Sequence, residues 1–136
     1  MIVDTSAIIA VLAGESDARQ LAEAIDRGQP KMSAATYLEC SIVLDRKGPP
    51  EASRRFDAWF RSLGIEIVPV TVEQAIIARA AYRDFGRGSG HRAGLNFGDC
   101  FSYALAAESG ESLLWKGDDF GHTGIPSALD QPEGFE

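Results

Sequence analysis

Short apolar runs alternate along the chain with longer segments in which apolar residues recur at helical spacing. "MIVD" begins with three apolar residues and ends at Asp4, which is typical of a buried strand. "KMS", "IEIVPV" and "SLLW" have the same short apolar or β-branched character. Because helical segments separate these runs, the pattern predicts an α/β fold around a mainly parallel sheet.

The segments between the runs carry helix start and stop signals. Thr5 or Ser6 is expected to cap a first helix that stops at Gly14, and Ser16 or Asp17 to cap a second. The spacing predicts four more helices, which run from about Ala34 to Arg46, over "PEASRRFDAWFRSLG", from Thr71 to about Phe85, and over "FGDCFSYALAAESG".

Two stretches lack this periodicity. Residues 86–96, "GRGSGHRAGLN", are rich in glycine and are predicted to form a mobile loop. The tail after "SLLWKGDDF" has room for one short strand at most, and its last few residues are expected to fray.

Size and composition fit one compact domain over residues 1–136, since 45% of the residues are apolar. No apolar run approaches the roughly 18 residues that span a bilayer, and Asp4 stands where a secretory signal would carry a base, so a soluble, unprocessed chain without a membrane partner is expected. Cys40 and Cys100 lie in apolar helical patterns and are predicted to be buried free thiols in a reducing interior.

The chain is acidic, with a net charge of −7 from 20 Asp and Glu against 13 Lys and Arg. This balance argues against a protein that coats nucleic acid by bulk attraction, so a nucleic-acid partner would have to be held locally. It also suits a protein that gathers carboxylates in one site and neutralises them with a divalent metal ion.

Several acids do not resemble solvated surface residues. Asp4 ends the first strand, Glu39 lies among apolar or small residues in "TYLECSIVL", Asp99 precedes "CFSYALA", and Asp118 and Asp119 follow the fourth strand. Each has a local alternative. Asp4 and Asp99 could cap helices, Glu39 could reach solvent or pair with an Arg, and an acid in the turn could be ordinary turn chemistry.

The joint pattern favours a metal site. Strand ends and helix starts gather at one edge of a parallel sheet, and carboxylates held close together repel one another unless a cation is present. An oxygen-only ligand set without a Cys or His cluster selects Mg²⁺ or Mn²⁺ rather than zinc. Such a site suits phosphodiester hydrolysis.

Four segments, taken in order, resemble the PIN-domain ribonucleases, and in particular the VapC toxins of bacterial toxin–antitoxin pairs: "MIVDTSAIIAVL", "YLECSIVL", "LNFGDCFSYALA" and "LLWKGDDF". The resemblance covers essentially the whole chain. It implies a three-layer α/β/α domain with a central parallel sheet and an acidic pocket that binds Mg²⁺ or Mn²⁺.

The resemblance also implies roles for individual residues. The family's first aspartate, its glutamate and its third acid carry over to Asp4, Glu39 and Asp99, with Asp4 and Asp99 as the metal ligands. Glu39 would be a direct or indirect ligand that orients the attacking water. Ser6 would hold a carboxylate or a water molecule of the site, and Asn96 would contact the site next to the third acid.

The chain departs from the family at the fourth acid. Many relatives carry an acid three positions before the Phe of this motif, where this sequence has Gly117. Counting back from Phe120 favours Asp119 for this role, with Asp118 as the second candidate.

The implied reaction is hydrolysis of single-stranded or loop RNA by a metal-activated water, without a covalent enzyme intermediate. Basic residues near the site would contact phosphates; they are Arg87, His91, Arg92 and Lys116. A plain solvated turn explains the loop equally well. The implied partners are a second copy of the chain and a VapB-type antitoxin whose C-terminal segment covers the groove, in the bacterial cytoplasm.

Two other functions remain open at this level. The altered fourth acid suits a catalytically weak protein-binding module that keeps the fold, and a DNA-directed nuclease would use the same site. Likewise "AWFRSL" and "AIIAVL" offer apolar surface for partners, although core packing explains them equally well.

Overall fold

A parallel four-stranded sheet with the order β3-β2-β1-β4 forms the centre of the protein in a computed structural model, which describes residues 1–130. Six α-helices and two short 3₁₀ helices connect and follow the strands. In chain order the elements are β1 (Ile2–Val3), α1 (Thr5–Ala13), α2 (Ala18–Arg27), β2 (Lys31–Ser33), α3 (Ala34–Lys47), α4 (Pro50–Ser62), β3 (Glu66–Val68), α5 (Val72–Phe85), α6 (Phe97–Ser109), β4 (Leu113–Leu114), and the 3₁₀ helices Phe120–His122 and Ala128–Asp130.

Two apolar cores cover the two faces of the sheet. Val3 and Leu114 belong to one core, which the helices α1 to α4 complete, whereas Ile2 and Leu113 belong to the other, beneath α6 and the packed side of α5. Successive residues of a strand point to opposite faces, so each two-residue strand supplies one side chain to each core. The layers are therefore helix, sheet and helix, which confirms the predicted α/β/α fold.

Strand order places a crevice beside β1. The chain moves from β1 outward to β2 and β3 and then returns to the opposite side of β1 with β4. The connections leave in opposite directions from the carboxyl ends of β1 and β4, and in open parallel sheets this switch point is where ligands bind. Asp4 follows β1 directly at this point.

The first helix begins differently from the sequence prediction. Asp4, with an extended backbone, is its N-cap, and its Oδ2 accepts a hydrogen bond of 3.0 Å from the backbone N–H of Ser6. The prediction that Thr5 or Ser6 caps this helix is therefore wrong. Their hydroxyl groups bond instead to partners from other elements, Glu39 and the backbone N–H of Lys116.

The other elements lie close to their predicted positions. Helix α3 runs to Lys47, one residue beyond the prediction, and α5 begins at Val72, one residue after its predicted start, with Thr71 as its N-cap. The strand predicted over "IEIVPV" is limited to Glu66–Val68, and Pro69, which has no N–H for the ladder, follows it. In the tail, Ser127 forms one isolated parallel bridge with Leu113. The expected fraying of the last few residues falls outside the described residues.

Packing settles the role of the apolar segments. Ile8 and Phe60, from "AIIAVL" and "AWFRSL", are buried in one core, which confirms the core interpretation, although Leu12 is 42% exposed. Cys40 and Cys100 are buried free thiols in different cores, as predicted. Among the described residues, no helix is long and apolar enough to cross a membrane.

Candidate active site

Four of the predicted acids come together at the crevice beside β1. The carboxylates of Asp4, Asp119 and Glu39 all lie close enough to Asp99 to raise its pKa. Burial is the main cause of this increase, and together with the like charges it raises the pKa of Asp99 to about 7. Residues from the end of β1, from α3, from α6 and from the turn after β4 thus build one acidic site.

Asp4 is the most firmly held of these acids. Asp4 as a whole is 3% exposed. Besides the cap bond to Oδ2, Oδ1 accepts a hydrogen bond of 2.5 Å from the hydroxyl of Ser102 on α6. The Ser102 oxygen lies 3.2 Å from the hydroxyl oxygen of Thr36 on α3. Both oxygens of Asp4 are therefore bonded within the protein.

Glu39 extends from α3 into the site across α6, at a position where α6 has a glycine. Its Oε1 accepts a hydrogen bond of 2.8 Å from the Thr5 hydroxyl. Its carboxyl group also lies directly against Gly98, where any added Cβ would overlap Oε2. Burial is the main reason that the pKa of Glu39 is raised, with a further contribution from the charge of Asp4, whereas the Thr5 bond opposes the shift. Glycine at position 98 therefore makes room for this acid.

Asp99 is fixed by the start of its own helix. Asn96 is the N-cap of α6, and its side-chain oxygen accepts a hydrogen bond of 2.8 Å from the backbone N–H of Asp99. In return, Oδ2 of Asp99 accepts one of 3.0 Å from the Asn96 N–H, which completes a capping box. The cap and the candidate ligand are thus the same carboxylate, and only one of its oxygens is used by the helix.

Asp119, rather than Asp118, takes part in the acidic site. Both side chains are exposed in the turn after β4, but only the charge of Asp119 contributes to the raised pKa of Asp99. Ser6 helps to place this turn, because its hydroxyl accepts a hydrogen bond of 3.0 Å from the backbone N–H of Lys116. Position 117 is a glycine with φ of +105°, which allows the chain to turn towards the site.

Within the described part of the chain, the four acids of the site have no basic partner. Among residues 1–130, no Lys, Arg or His forms an ion pair with Asp4, Glu39, Asp99 or Asp119. Nor do any three acid, His or Cys side chains in this range already surround a single ion position. The site is therefore an open group of carboxylates with uncompensated charge rather than a closed metal cage.

The basic residues predicted to contact phosphates differ in how exposed they are and in the partners they have within the protein. Arg87 and Arg92 are exposed in the loop that leads into α6, whose base is closed by a hydrogen bond from the Arg87 N–H to the Leu95 carbonyl. The ring of His91 packs edge-on against Phe85, and its Nδ1 accepts a bond from the Ala93 N–H. These contacts make the segment a folded loop with its two arginine side chains exposed.

Lys116 is occupied within the protein. Its Nζ lies 2.9 Å from Oδ2 of Asp17 and 3.8 Å from Glu15, in the turn between α1 and α2. This pairing raises the pKa of the Lys116 ammonium, chiefly through the hydrogen bond to Asp17. Lys116 would have to leave these acids before it could contact a phosphate.

The sequence pattern indicated Ser6 and Asn96 but not the two buried hydroxyl groups behind Asp4, those of Ser102 and Thr36. Ser102 donates a hydrogen bond to Asp4, a residue 98 positions away. Its place three residues after Asp99, on the same face of α6, was the available signal.

The PIN-domain family model matches residues 1–126. The chain belongs to the PIN-domain family. It is 58% identical over 132 residues to the ribonuclease VapC28 of Mycobacterium tuberculosis, a match that covers 96% of this chain and 99% of the relative. It is also 51% identical to ribonuclease VapC42 of the same species, over 94% of this chain and 98% of the relative.

Two solved structures share the fold. A toxin–antitoxin complex from Klebsiella pneumoniae matches with a TM-score of 0.69 over 92% of each chain. Mycobacterium tuberculosis VapC20, described as a Sarcin-Ricin loop cleaving toxin, matches with a TM-score of 0.68 over 91% of this chain and 95% of its own. At 21% identity both show that this PIN domain has the fold of these toxins.

Proposed function

We propose that this PIN domain is a metal-dependent endoribonuclease, the toxin of a VapBC-type toxin–antitoxin pair, and that it hydrolyses RNA phosphodiester bonds with a water activated by Mg²⁺ or Mn²⁺. The observation that carries the proposal is the group of four carboxylates at the switch point of the sheet, without a basic partner among residues 1–130. The names of its relatives, VapC ribonucleases, support the same reaction class.

The donor set fits a hard divalent ion. Mg²⁺ keeps several waters and is usually held by only one or two protein carboxylates, so an open site suffices. Asp4 and Asp99 would hold the ion, since each oxygen of Asp4 retains a free lone pair and one oxygen of Asp99 is not used by the capping box. When bound, the ion would activate water and stabilise the charge that develops on the phosphate.

The remaining side chains have separate tasks. Glu39 would orient the attacking water and accept its proton, because its raised pKa favours proton uptake. Asn96 holds Asp99 in one rotamer through the capping box, and Ser6 anchors the turn that carries Asp119. Asp119, the fourth acid, would bind water or a second ion at the open side of the site.

RNA would approach across the arginine-bearing loop. Arg87 and Arg92 are exposed just before α6 and would supply the local positive charge that this acidic chain needs to hold a phosphate backbone. His91 would contribute a weaker contact, and Lys116 would contribute only after release from Asp17.

The proposed partners are a VapB-type antitoxin and a second copy of the chain, within the bacterial cytoplasm. The toxin–antitoxin complex among the structural neighbours supports the antitoxin. A homodimer is supported by four exposed apolar side chains on α5 and at the start of α6: Val72, Ile76, Tyr82 and Phe97. Light scattering at several concentrations would measure the oligomeric state.

Cleavage assays on a panel of RNA molecules test the activity. The purified protein should cut RNA with Mg²⁺ or Mn²⁺ and stop with EDTA, and Asp4→Asn and Asp99→Asn should each lose activity while thermal melts show a folded protein. DNA of the same sequences at the same salt separates an RNA nuclease from a DNA nuclease. Full cleavage by both variants would contradict the proposal, and folded wild-type protein that neither cleaves RNA nor binds metal would indicate a protein-binding module.

The same assay distinguishes the two acids of the turn. Asp119→Asn should lower the cleavage rate more than Asp118→Asn. Only Asp119, of these two acids, lies close enough to raise the pKa of Asp99. The two variants remove the same charge from neighbouring exposed positions, so each is the matched control of the other.

A further inference from the structure

A buried pair of hydroxyl groups lies behind Asp4, on the side away from solvent. Ser102 is 0% exposed and Thr36 is 1% exposed, and the two residues belong to α6 and α3. Their hydroxyl oxygens are 3.2 Å apart, and the Ser102 oxygen is 2.5 Å from Oδ1 of Asp4. The end of β1 and two helices from opposite sides of the sheet therefore meet in one polar chain inside the protein.

The direction of the hydrogen bonds follows from donor capacity. An ionised carboxylate can only accept, so the single proton of the Ser102 hydroxyl must point to Asp4. The Ser102 oxygen can then only accept from Thr36, whose hydroxyl must donate to it. The length of 2.5 Å for the first bond is typical of a hydroxyl that donates to a charged carboxylate.

These bonds leave Asp4 free to bind a cation. An ionised carboxylate offers about four lone-pair sites. Ser102 occupies one lone-pair site on Oδ1 and the Ser6 N–H occupies one on Oδ2, so each oxygen retains one free lone-pair site. The two internal bonds fix the plane of the carboxylate from both sides.

We propose that Ser102, oriented by Thr36, is a positioning residue that sets Asp4 for divalent-ion binding. The inference rests on the proposed function and adds to it a pair of residues that never touch the ion or the RNA. Hydrogen-bond partners behind a metal ligand commonly contribute about 10- to 100-fold to metal affinity. Ser102→Ala should therefore weaken Mn²⁺ binding by about tenfold or more.

Two variants at each position separate hydrogen bonding from packing. Thr36→Val keeps the volume and removes the hydroxyl, whereas Thr36→Ser keeps the hydroxyl and removes a methyl group. Ser102→Cys replaces the hydroxyl with a larger thiol that is a weak donor, and Ser102→Ala removes the donor. We expect Thr36→Val to bind Mn²⁺ more weakly than Thr36→Ser, and Ser102→Ala more weakly than Ser102→Cys.

Calorimetric titration of the full chain with Mn²⁺, without RNA, is the test, with thermal melts to show that each variant is folded. A packing role predicts the opposite order at position 36, because Val fills the site and Ser leaves a gap; that order would overturn the proposal. Asp4→Asn is the reference that should lose the binding. If the wild-type protein binds Mn²⁺, Asp4→Asn does not, and the hydroxyl variants match the wild type, then only this inference fails. If the wild-type protein binds no Mn²⁺, the proposed function fails together with it.

Discussion

Acids at the amino ends of the central strands, here called the amino edge, have different partners from acids at the carboxyl ends, here called the carboxyl edge. At the amino edge, Glu111 accepts hydrogen bonds of 2.5 Å from the ammonium group of Met1 and 2.8 Å from Nζ of Lys31. At the carboxyl edge, Asp4, Glu39 and Asp99 are bonded to hydroxyl and backbone N–H groups, without an ion pair among residues 1–130.

The pKa values record this difference. Lys31 and the amino terminus lower the pKa of Glu111, whereas burial and neighbouring acids raise the pKa of Asp99 to about 7. At the amino edge, the charge of Glu111 is paired within the protein, which stabilises the fold. The carboxyl edge holds like charges without an ion pair among residues 1–130, and the proposed metal ion would neutralise them.

The largest loss of RNA cleavage among these predictions should follow from a substitution that fills the space now occupied by Glu39. Gly98→Ala puts a methyl group where Glu39 lies and should reduce RNA cleavage by about 100-fold, equivalent to about 2.7 kcal/mol of transition-state stabilisation. Gly98 lies within α6, where alanine favours the helix, so the melting temperature should fall little. Gly121→Ala is the matched control, since a Cβ there meets nothing within 4 Å. Equal cleavage by both variants would show that the position of Glu39 is unimportant.

A smaller effect concerns the stability of the metal-free protein. Asp99 has a folded pKa of about 7, above its ordinary value of 3.8, so the folded state holds the proton more tightly than the unfolded state. The free energy of unfolding should therefore fall as the pH rises from about 4 to about 7, by about 2 kcal/mol because solvent screens this partly exposed carboxylate. Asp99→Asn should flatten this dependence in urea denaturation curves, and an unchanged slope would contradict the raised pKa.

The smallest effect belongs to the amino edge. Glu111→Gln keeps the shape of the side chain but removes the charge that Lys31 and the amino terminus share, and should lower the free energy of unfolding by about 1 kcal/mol. RNA cleavage should stay unchanged. Glu23→Gln, in an exposed pair with Arg19, is the control and should change stability by less. A loss of cleavage in Glu111→Gln without unfolding would break the separation between the two edges.

Much of this arrangement could be predicted from the sequence. Asp4 and Asp99 were recognisable because an acid at the end of an apolar run or at the start of a buried helix needs a local reason, and strand ends share one edge. The sequence did not show which residue caps helix α6. Asn96, not Asp99, takes the N-cap position, although both belong to the same capping box.

The contact between Ser102 and Thr36 could not be predicted, because it depends on how helices α6 and α3 cross. Ser102 and Thr36 are 66 residues apart, and no local pattern tells that their hydroxyl groups meet behind Asp4. The space that Gly98 leaves for Glu39 likewise arises from a contact between distant segments. The choice of Asp119 over Asp118, in contrast, was indicated by its position next to Phe120. Sequence periodicity identifies the elements but not the facing side chains.

Titration of the wild-type protein with Mn²⁺ near pH 6.5, in two buffers with different ionisation enthalpies, tests the central claim most directly. The acidic edge should bind the ion and release a proton, because Asp99 with a pKa of about 7 is largely protonated at that pH and must ionise to act as a ligand. Asp99→Asn should bind more weakly and release fewer protons. No binding heat at millimolar Mn²⁺, or binding without proton release that Asp99→Asn leaves unchanged, would contradict the account.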